Sequence, residues 1–204
     1  MKPIQSFVFD LGNVVVDVEY PRFCRQAGID VQAFQDFYES PFFRELELGH
    51  KDREAFYLEL EEKTGFPRSN RKYVDENIRL AFPLRLKTWG LIHFLKRHYP
   101  VFLLSNTNII DFESIDRYIG IRKTFHKVYL SYEQGYSKPY PETFRHAADY
   151  LGLNPAQTLF LDDREDNIAG AEKAGWQAEQ VTDELKMIRR IISVCGLNPD
   201  LFRS

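Results

Sequence analysis

The sequence predicts an α/β fold: a parallel sheet flanked by helices, with a helical module inserted after the first strand. Three observations predict it. Short apolar runs that end in polar residues recur along the chain, helical periodicities separate them, and one long stretch lacks such runs. The 204 residues are 44% hydrophobic, enough to bury a full core with a smaller appended module.

Residues 4–9 form the first run, which closes on Asp10 and Gly12. Its last three residues, Phe7-Val8-Phe9, are apolar without alternation, which suits a strand buried on both faces. Residues 19–85 carry no such run but hold aromatic-rich helical stretches: Phe34 and Phe37, Phe42 and Phe43, then Phe56, Tyr57 and Leu60. A helical insertion there would have both ends near the tip of the first strand, placed to cover a ligand as a lid. The same pattern also fits helices that only thicken the core.

Leu84, Trp89, Ile92 and Leu95 mark a helix leading into a second run, 101–104, which ends in Ser105 and Asn106. A third run spans 128–130. Phe144, Ala147, Ala148 and Leu151 mark the next helix, with Pro141 suited to its first turn and Gly152 to its end. The fourth run, 158–161, ends in Asp162 and Asp163, and Gly175 stops the helix after it. Leu185, Ile188, Ile192 and Cys195 place a C-terminal helix within 182–195, docked on the sheet. Open sheets of this class bind ligands at the carboxyl ends of their strands, so the polar tips predict a single pocket.

A net charge of −3 and a pI near 6.0 leave no basic excess for a nucleic-acid backbone or an anionic membrane surface. Neither partner is therefore expected. Cys24 and Cys195 are far apart and lack metal-ligand spacing, so free thiols are expected rather than a disulfide or a zinc site. Asp10 interrupts the N-terminal apolar stretch too early for a secretory segment, and no later run reaches membrane-spanning length. A cytoplasmic location is the default expectation.

A carboxylate directly after a buried strand, as Asp10 is, can act as a nucleophile or hold a metal ion, and is equally common as a structural residue. Ser105-Asn106-Thr107-Asn108 can hold phosphate oxygens through its hydroxyl and free N–H groups, or serve as a helix cap. Lys138 precedes Pro139, which disfavours helical geometry at the lysine and helps to project it from a turn. A cation there neutralises a bound anion or is merely solvated. The adjacent acids Asp162 and Asp163, with Asp166 and Asn167 beyond, repel one another unless a cation or a proton relieves them. Hard oxygen ligands of this kind suit magnesium.

Taken together, an acid, a hydroxyl, a lysine and an acid pair in that chain order resemble the four signature motifs of the haloacid dehalogenase superfamily, at Asp10, Ser105, Lys138 and Asp162-Asp163. The match to Phe-Asp-Leu-Gly-Asn-Val, Leu-Ser-Asn-Thr and Leu-Asp-Asp is closest to the branch with glucose-1-phosphate phosphatases and the phosphatase domain of epoxide hydrolases. The resemblance implies a Rossmann-like core domain over 1–18 and 86–204, with a helical cap domain over 19–85. It also implies a magnesium-dependent phosphatase acting on a small phosphorylated metabolite, a sugar phosphate being favoured. Asp10 would attack phosphorus to form an aspartyl-phosphate. Ser105, the Asn106 backbone and Lys138 would hold the phosphoryl oxygens. Magnesium would be held by Asp10, the Gly12 carbonyl and Asp163 supported by Asp162, with Asn167 beside them as a neighbouring or ligand residue.

One position departs from the pattern. Most phosphatases of the superfamily carry a second aspartate two residues after the nucleophile, as the acid and base of the reaction, and here that residue is Gly12. The sequence nominates Asp17, or His50 from the insertion, as a substitute. Two other readings stay open: a phosphate-ligand or partner-binding protein in which Gly12 records lost turnover, and a 2-haloacid dehalogenase. The acid pair counts against the dehalogenase, since without a cation it would repel an anionic substrate.

Overall fold

A strand with consecutive apolar residues needs cover on both faces, and each predicted run obtains it. In the computed structural model, which describes residues 2–196, the strands β1 (Ser6–Phe9), β2 (Val101–Ser105), β3 (Lys127–Leu130), β4 (Thr158–Asp162) and β5 (Gln177–Gln180) form one parallel sheet in the order β3-β2-β1-β4-β5. Residues 197–204, the end of the predicted core segment, lie outside the described residues.

Side chains alternate between the faces with a period of two. Phe7 and Phe9 join Leu103 and Leu161 under α6 (Leu86–Leu95), α7 (Ile109–Ile119) and α12 (Glu184–Val194). Val8 joins Phe102, Leu104 and Phe160 under α10 (Pro141–Leu151) and α11 (Glu165–Lys173) on the other face. Two short helices, α8 (Ile121–Thr124) and α9 (Ser131–Gln134), flank β3. Gly152 ends α10 in the left-handed conformation, as its position predicts.

The sequence shows four strands, and the structure adds a fifth. β5 reads Gln-Ala-Glu-Gln and is only half-buried, because it pairs with β4 alone at the sheet edge. An edge strand of this kind has no apolar run to betray it, and its polar side chains discourage pairing with another chain.

The chain runs outward from β1 through β2 to β3, then returns to place β4 on the other side of β1. The direction of strand addition thus reverses at the carboxyl end of β1. A crevice opens at such a point, and Asp10 sits in it.

Between β1 and α6 lie α1 (Tyr20–Ala27), α2 (Val31–Tyr38), α3 (Pro41–Glu47), α4 (Arg53–Thr64) and α5 (Arg71–Asn77). Their starts are written locally: the side chains of Asp30, Ser40 and Asp52 accept from the N–H groups of Ala33, Phe43 and Ala55. The helices bury an apolar cluster of their own, built on Phe34, Phe37, Phe56 and Leu60, which Ile110 of α7 also enters. The Phe37 and Phe56 rings meet edge to face at 5.4 Å. Both ends of the insertion lie together, since Asp17 donates its N–H to the Pro83 carbonyl at 2.8 Å and Glu19 to that of Ala81 at 2.7 Å. A buried polar bridge ties the insertion to the sheet domain. The Tyr38 hydroxyl donates to Asp111 of α7 at 2.8 Å, and Asn108 donates to the other oxygen at 2.7 Å.

Candidate active site

Asp10 is the first residue beyond β1, and its N–H still donates to the Leu161 carbonyl at 2.9 Å, so the sheet fixes its backbone. Its side chain is mostly buried. Burial pushes the Asp10 carboxyl up to about 7, against the pull of Lys138 and with a further push from Asp162.

Lys138, on the loop between α9 and α10, reaches into the same point. Its ammonium lies 2.8 Å from Asp10 Oδ1 and 2.6 Å from Asp162 Oδ2, and donates to the Leu104 carbonyl at 3.2 Å. Burial pulls this ammonium down, yet the two carboxylates together hold it above its ordinary value. Asn106 fixes the loop, because its side-chain amide donates to the Lys138 carbonyl at 3.0 Å and accepts the Lys138 N–H at 2.9 Å. The Asn106 side chain, read from sequence only as part of a phosphate-holding turn, therefore also positions the lysine.

On the far side, α11 makes room for that loop at Gly170. A Cβ there would overlap the Pro139 carbonyl oxygen and press on Phe144. Gly170→Ala is expected to destabilise the fold by about 1–3 kcal/mol through overpacking, and to displace Lys138. Urea unfolding reads the first effect, and a loss of turnover larger than the stability change explains reads the second.

The acid pair divides its work. Asp162, fully buried, accepts from Lys138, from the Asn167 amide at 2.9 and 3.0 Å, and from the Arg164 N–H at 2.9 Å. Its oxygens are occupied by protein donors. Asp163 is half-exposed, and among the described residues its carboxylate accepts only from Asn13, at 3.0 Å. Asn13 itself adopts a left-handed backbone with φ 54°, a conformation asparagine tolerates better than most residues. Sequence reading missed this role of Asn13, although an asparagine after a glycine at a strand end carries the turn signal that could have found it.

Oxygen atoms of Asp10, Asp162 and Asp163 all lie within 4.8 Å of one another. Three carboxylates face one buried ammonium there, and hard oxygen donors with surplus negative charge fit a magnesium-sized cation. Because Asp162 is committed to protein donors, Asp10 and Asp163 are the carboxylates left for it.

These groups open into a cavity of about 650 Å³ that includes Asp10, Gly12, Lys138, Asp163 and Asn167. A smaller cleft of about 90 Å³ adjoins it and holds Ser105, with Gly12, Asn106 and Glu47 bordering both. The Ser105 hydroxyl is buried and donates to the Asn106 carbonyl at 3.3 Å. Asn108 is the cap of α7, accepting from Ile110 and Asp111, so the helix-cap reading of the Ser105-Asn106-Thr107-Asn108 turn holds at its last residue.

Neither nominated substitute for the acid lines this cavity. Asp17 is bound to Arg85 at 2.6 Å, and His50 pairs with Glu45 at 2.9 Å on the surface. Arg44 and Glu47 of α3, which sequence reading did not single out, line the cavity instead. Burial pushes the Glu47 carboxyl up to about 7, with Asp111 adding to the push and Lys138, Arg44 and Arg164 opposing it.

A sheet whose reversal point gathers an aspartate, a lysine and an acid pair defines a class of hydrolase, and residues 4–175 match the model of the haloacid dehalogenase-like hydrolase family. The chain belongs to that family. Its relatives include a D-ribitol-5-phosphate phosphatase from Bacteroides thetaiotaomicron, 28% identical over 193 residues that cover 87% of this chain and 91% of the relative. A solved family enzyme from the same organism, in complex with magnesium and inorganic phosphate, superposes with a TM-score of 0.76 at 25% identity over 91% of this chain and 98% of that one. An L-2-haloacid dehalogenase from Xanthobacter autotrophicus superposes at 0.63 with 18% identity, over 93% of this chain and 83% of that one, a likeness of fold.

Proposed function

We propose that this protein is a magnesium-dependent phosphatase that hydrolyses a small phosphorylated metabolite through an aspartyl-phosphate on Asp10. One observation carries the reading: Lys138 is clamped between Asp10 and Asp162 at the base of a cavity that also admits Asp163. A carboxylate held this way is oriented, and the ammonium offsets charge that develops as it attacks phosphorus.

The proposed roles follow the geometry. Asp10 is the nucleophile. Ser105, the Asn106 backbone and Lys138 hold the phosphoryl oxygens, and Asp10, Asp163 and the Gly12 carbonyl hold magnesium. Asp162 and Asn167 keep the lysine and the acid pair in register. When bound, magnesium supplies positive charge that screens the carboxylate from the phosphate it approaches.

The insertion, 19–85, is proposed as a cap domain on a core of 1–18 and 86–204, since its joined ends and separate apolar cluster suit a unit seated at the pocket mouth. The phosphatases among its relatives favour a polyol or sugar phosphate. A cytoplasmic location is consistent with two free cysteines, and no described helix is long and apolar enough to cross a membrane.

The reading is tested by measuring inorganic phosphate released from sugar, polyol and aryl phosphates. Release is expected with magnesium, to fall to background with a chelator, and to return when magnesium is restored. Release that ignores the chelator would contradict it.

A further inference from the structure

The reaction proposed above needs a group that gives a proton to the leaving oxygen and later takes one from water, and Gly12 has no side chain to do so. We propose that Glu47, at the carboxyl end of α3, is that acid and base. The proposal rests on Asp10 being the nucleophile.

Position is the first argument. Glu47 borders the cavity of Asp10 and Lys138 and also the cleft of Ser105, and Gly12 is shared by the same two spaces. A carboxyl from the insertion thus shares both spaces with the position at residue 12.

Availability is the second. Five carboxylates line the larger cavity: Asp10, Glu45, Glu47, Asp163 and Asp166. Asp10 is held by Lys138, Glu45 by His50, Asp163 by Asn13 and Asp166 by Arg164. Among the described residues Glu47 alone of these has no hydrogen bond or ion pair to its carboxyl. Asp111, which shares the smaller cleft, is taken by Tyr38 and Asn108. The charged groups that act on Glu47 are Asp111 on α7, which with burial raises its proton affinity, and Lys138 on its loop, Arg44 on α3 and Arg164 before α11, which oppose the rise.

Rigidity is the third. Ser40 caps the start of α3, and the turn after its end closes with the Gly49 N–H on the Leu46 carbonyl at 3.0 Å. Gly49 has φ 75°, and a Cβ there would overlap the Tyr132 carbonyl oxygen of α9. The end of α3 is therefore seated against the sheet domain, and Glu47 is presented by a fixed element.

The chemistry balances. As an Asp10 oxygen bonds to phosphorus, the bond from phosphorus to the leaving oxygen breaks, and that oxygen keeps the electron pair and takes the proton from Glu47. Water then attacks the phosphorus of the aspartyl-phosphate, its proton passing to the Glu47 carboxylate. The bond to Asp10 breaks, and inorganic phosphate, free Asp10 and protonated Glu47 result.

The test is Glu47→Gln, a nearly isosteric change, assayed on D-ribitol 5-phosphate and on 4-nitrophenyl phosphate. Turnover of the alkyl phosphate is expected to fall about 10²–10⁴-fold, the usual worth of acid–base help. The aryl phosphate leaves without a proton, so one equivalent of 4-nitrophenol should appear in a burst at the parent's rate, followed by slow turnover. Magnesium-dependent orthovanadate binding and the melting temperature should match the parent. Gly12→Asp added to Glu47→Gln should restore alkyl turnover, since a Cβ at residue 12 meets only Val18 Cγ2, at 3.3 Å.

Alkyl turnover within threefold of the parent would overturn the role of Glu47 and leave Asp10 untouched. Equal losses on both esters without a burst would also overturn it, pointing to a packing or binding role. If the parent matches Asp10→Asn on every ester, both the nucleophile and the acid fall together.

Discussion

Replacing Lys138 by methionine should destabilise the protein by about 3–5 kcal/mol at pH 8 in magnesium-free buffer, the range found when one partner of a buried ion pair is removed. The side chain is 1% exposed and stands between two carboxylates, 2.8 Å from Asp10 and 2.6 Å from Asp162. Asp162 would keep Asn167 and the Arg164 N–H, but Asp10 would lose the ion pair that holds it.

The sign of the pH dependence follows. Lys138 lowers the proton affinity of Asp10, so its loss raises an affinity that burial already lifts from 3.8 to about 7. The folded variant then holds a proton that the unfolded chain releases near pH 4, and its stability declines as pH rises through that interval and beyond. Urea unfolding at pH 5 and pH 8 checks this: the deficit of the variant should be smaller at pH 5. A larger deficit at pH 5 would contradict a charge-based account of the site.

Asp10→Asn should lower phosphate release at least about 10³-fold, because an amide oxygen neither attacks phosphorus readily nor carries the charge that Lys138 orients. The fold should survive. Lys138 keeps Asp162 at 2.6 Å, and the substitution removes a buried charge rather than stranding one. Binding of inorganic phosphate with magnesium should persist or tighten, since the carboxylate that repels it is gone. Loss of turnover with binding retained separates a nucleophile from a residue that only builds the pocket.

Much of this was legible in the sequence because central parallel strands are written as unbroken apolar runs. β1, β2 and β4 carry them, and each leads into a residue of the site: Asp10 just beyond β1, and Ser105 and Asp162 at the ends of β2 and β4. The insertion was legible by contrast, as aromatic helical spacing without strands. β5 was not, because an edge strand buried on neither face has no reason to be apolar. Glu47 was not legible either. Its position on a short helix says nothing of which cavity it borders, and only the packing of the insertion against the sheet's polar tips reveals that. Asp17 and His50 lie off the cavity lining for a like reason, since each pairs with a charged neighbour, Arg85 or Glu45, that the sequence does not reveal.

The central claim is that phosphorus bonds to Asp10 during turnover. The most direct measurement mixes the protein with magnesium and D-ribitol 5-phosphate, quenches within milliseconds, reduces acyl phosphates with borohydride, and reads the peptide containing residue 10 by mass spectrometry. Reduction of the Asp10 side chain to the alcohol, absent when substrate is omitted, is the predicted result. Hydrolysis of the substrate with Asp10 unmodified in every quench, or with reduction at another carboxylate, would contradict it.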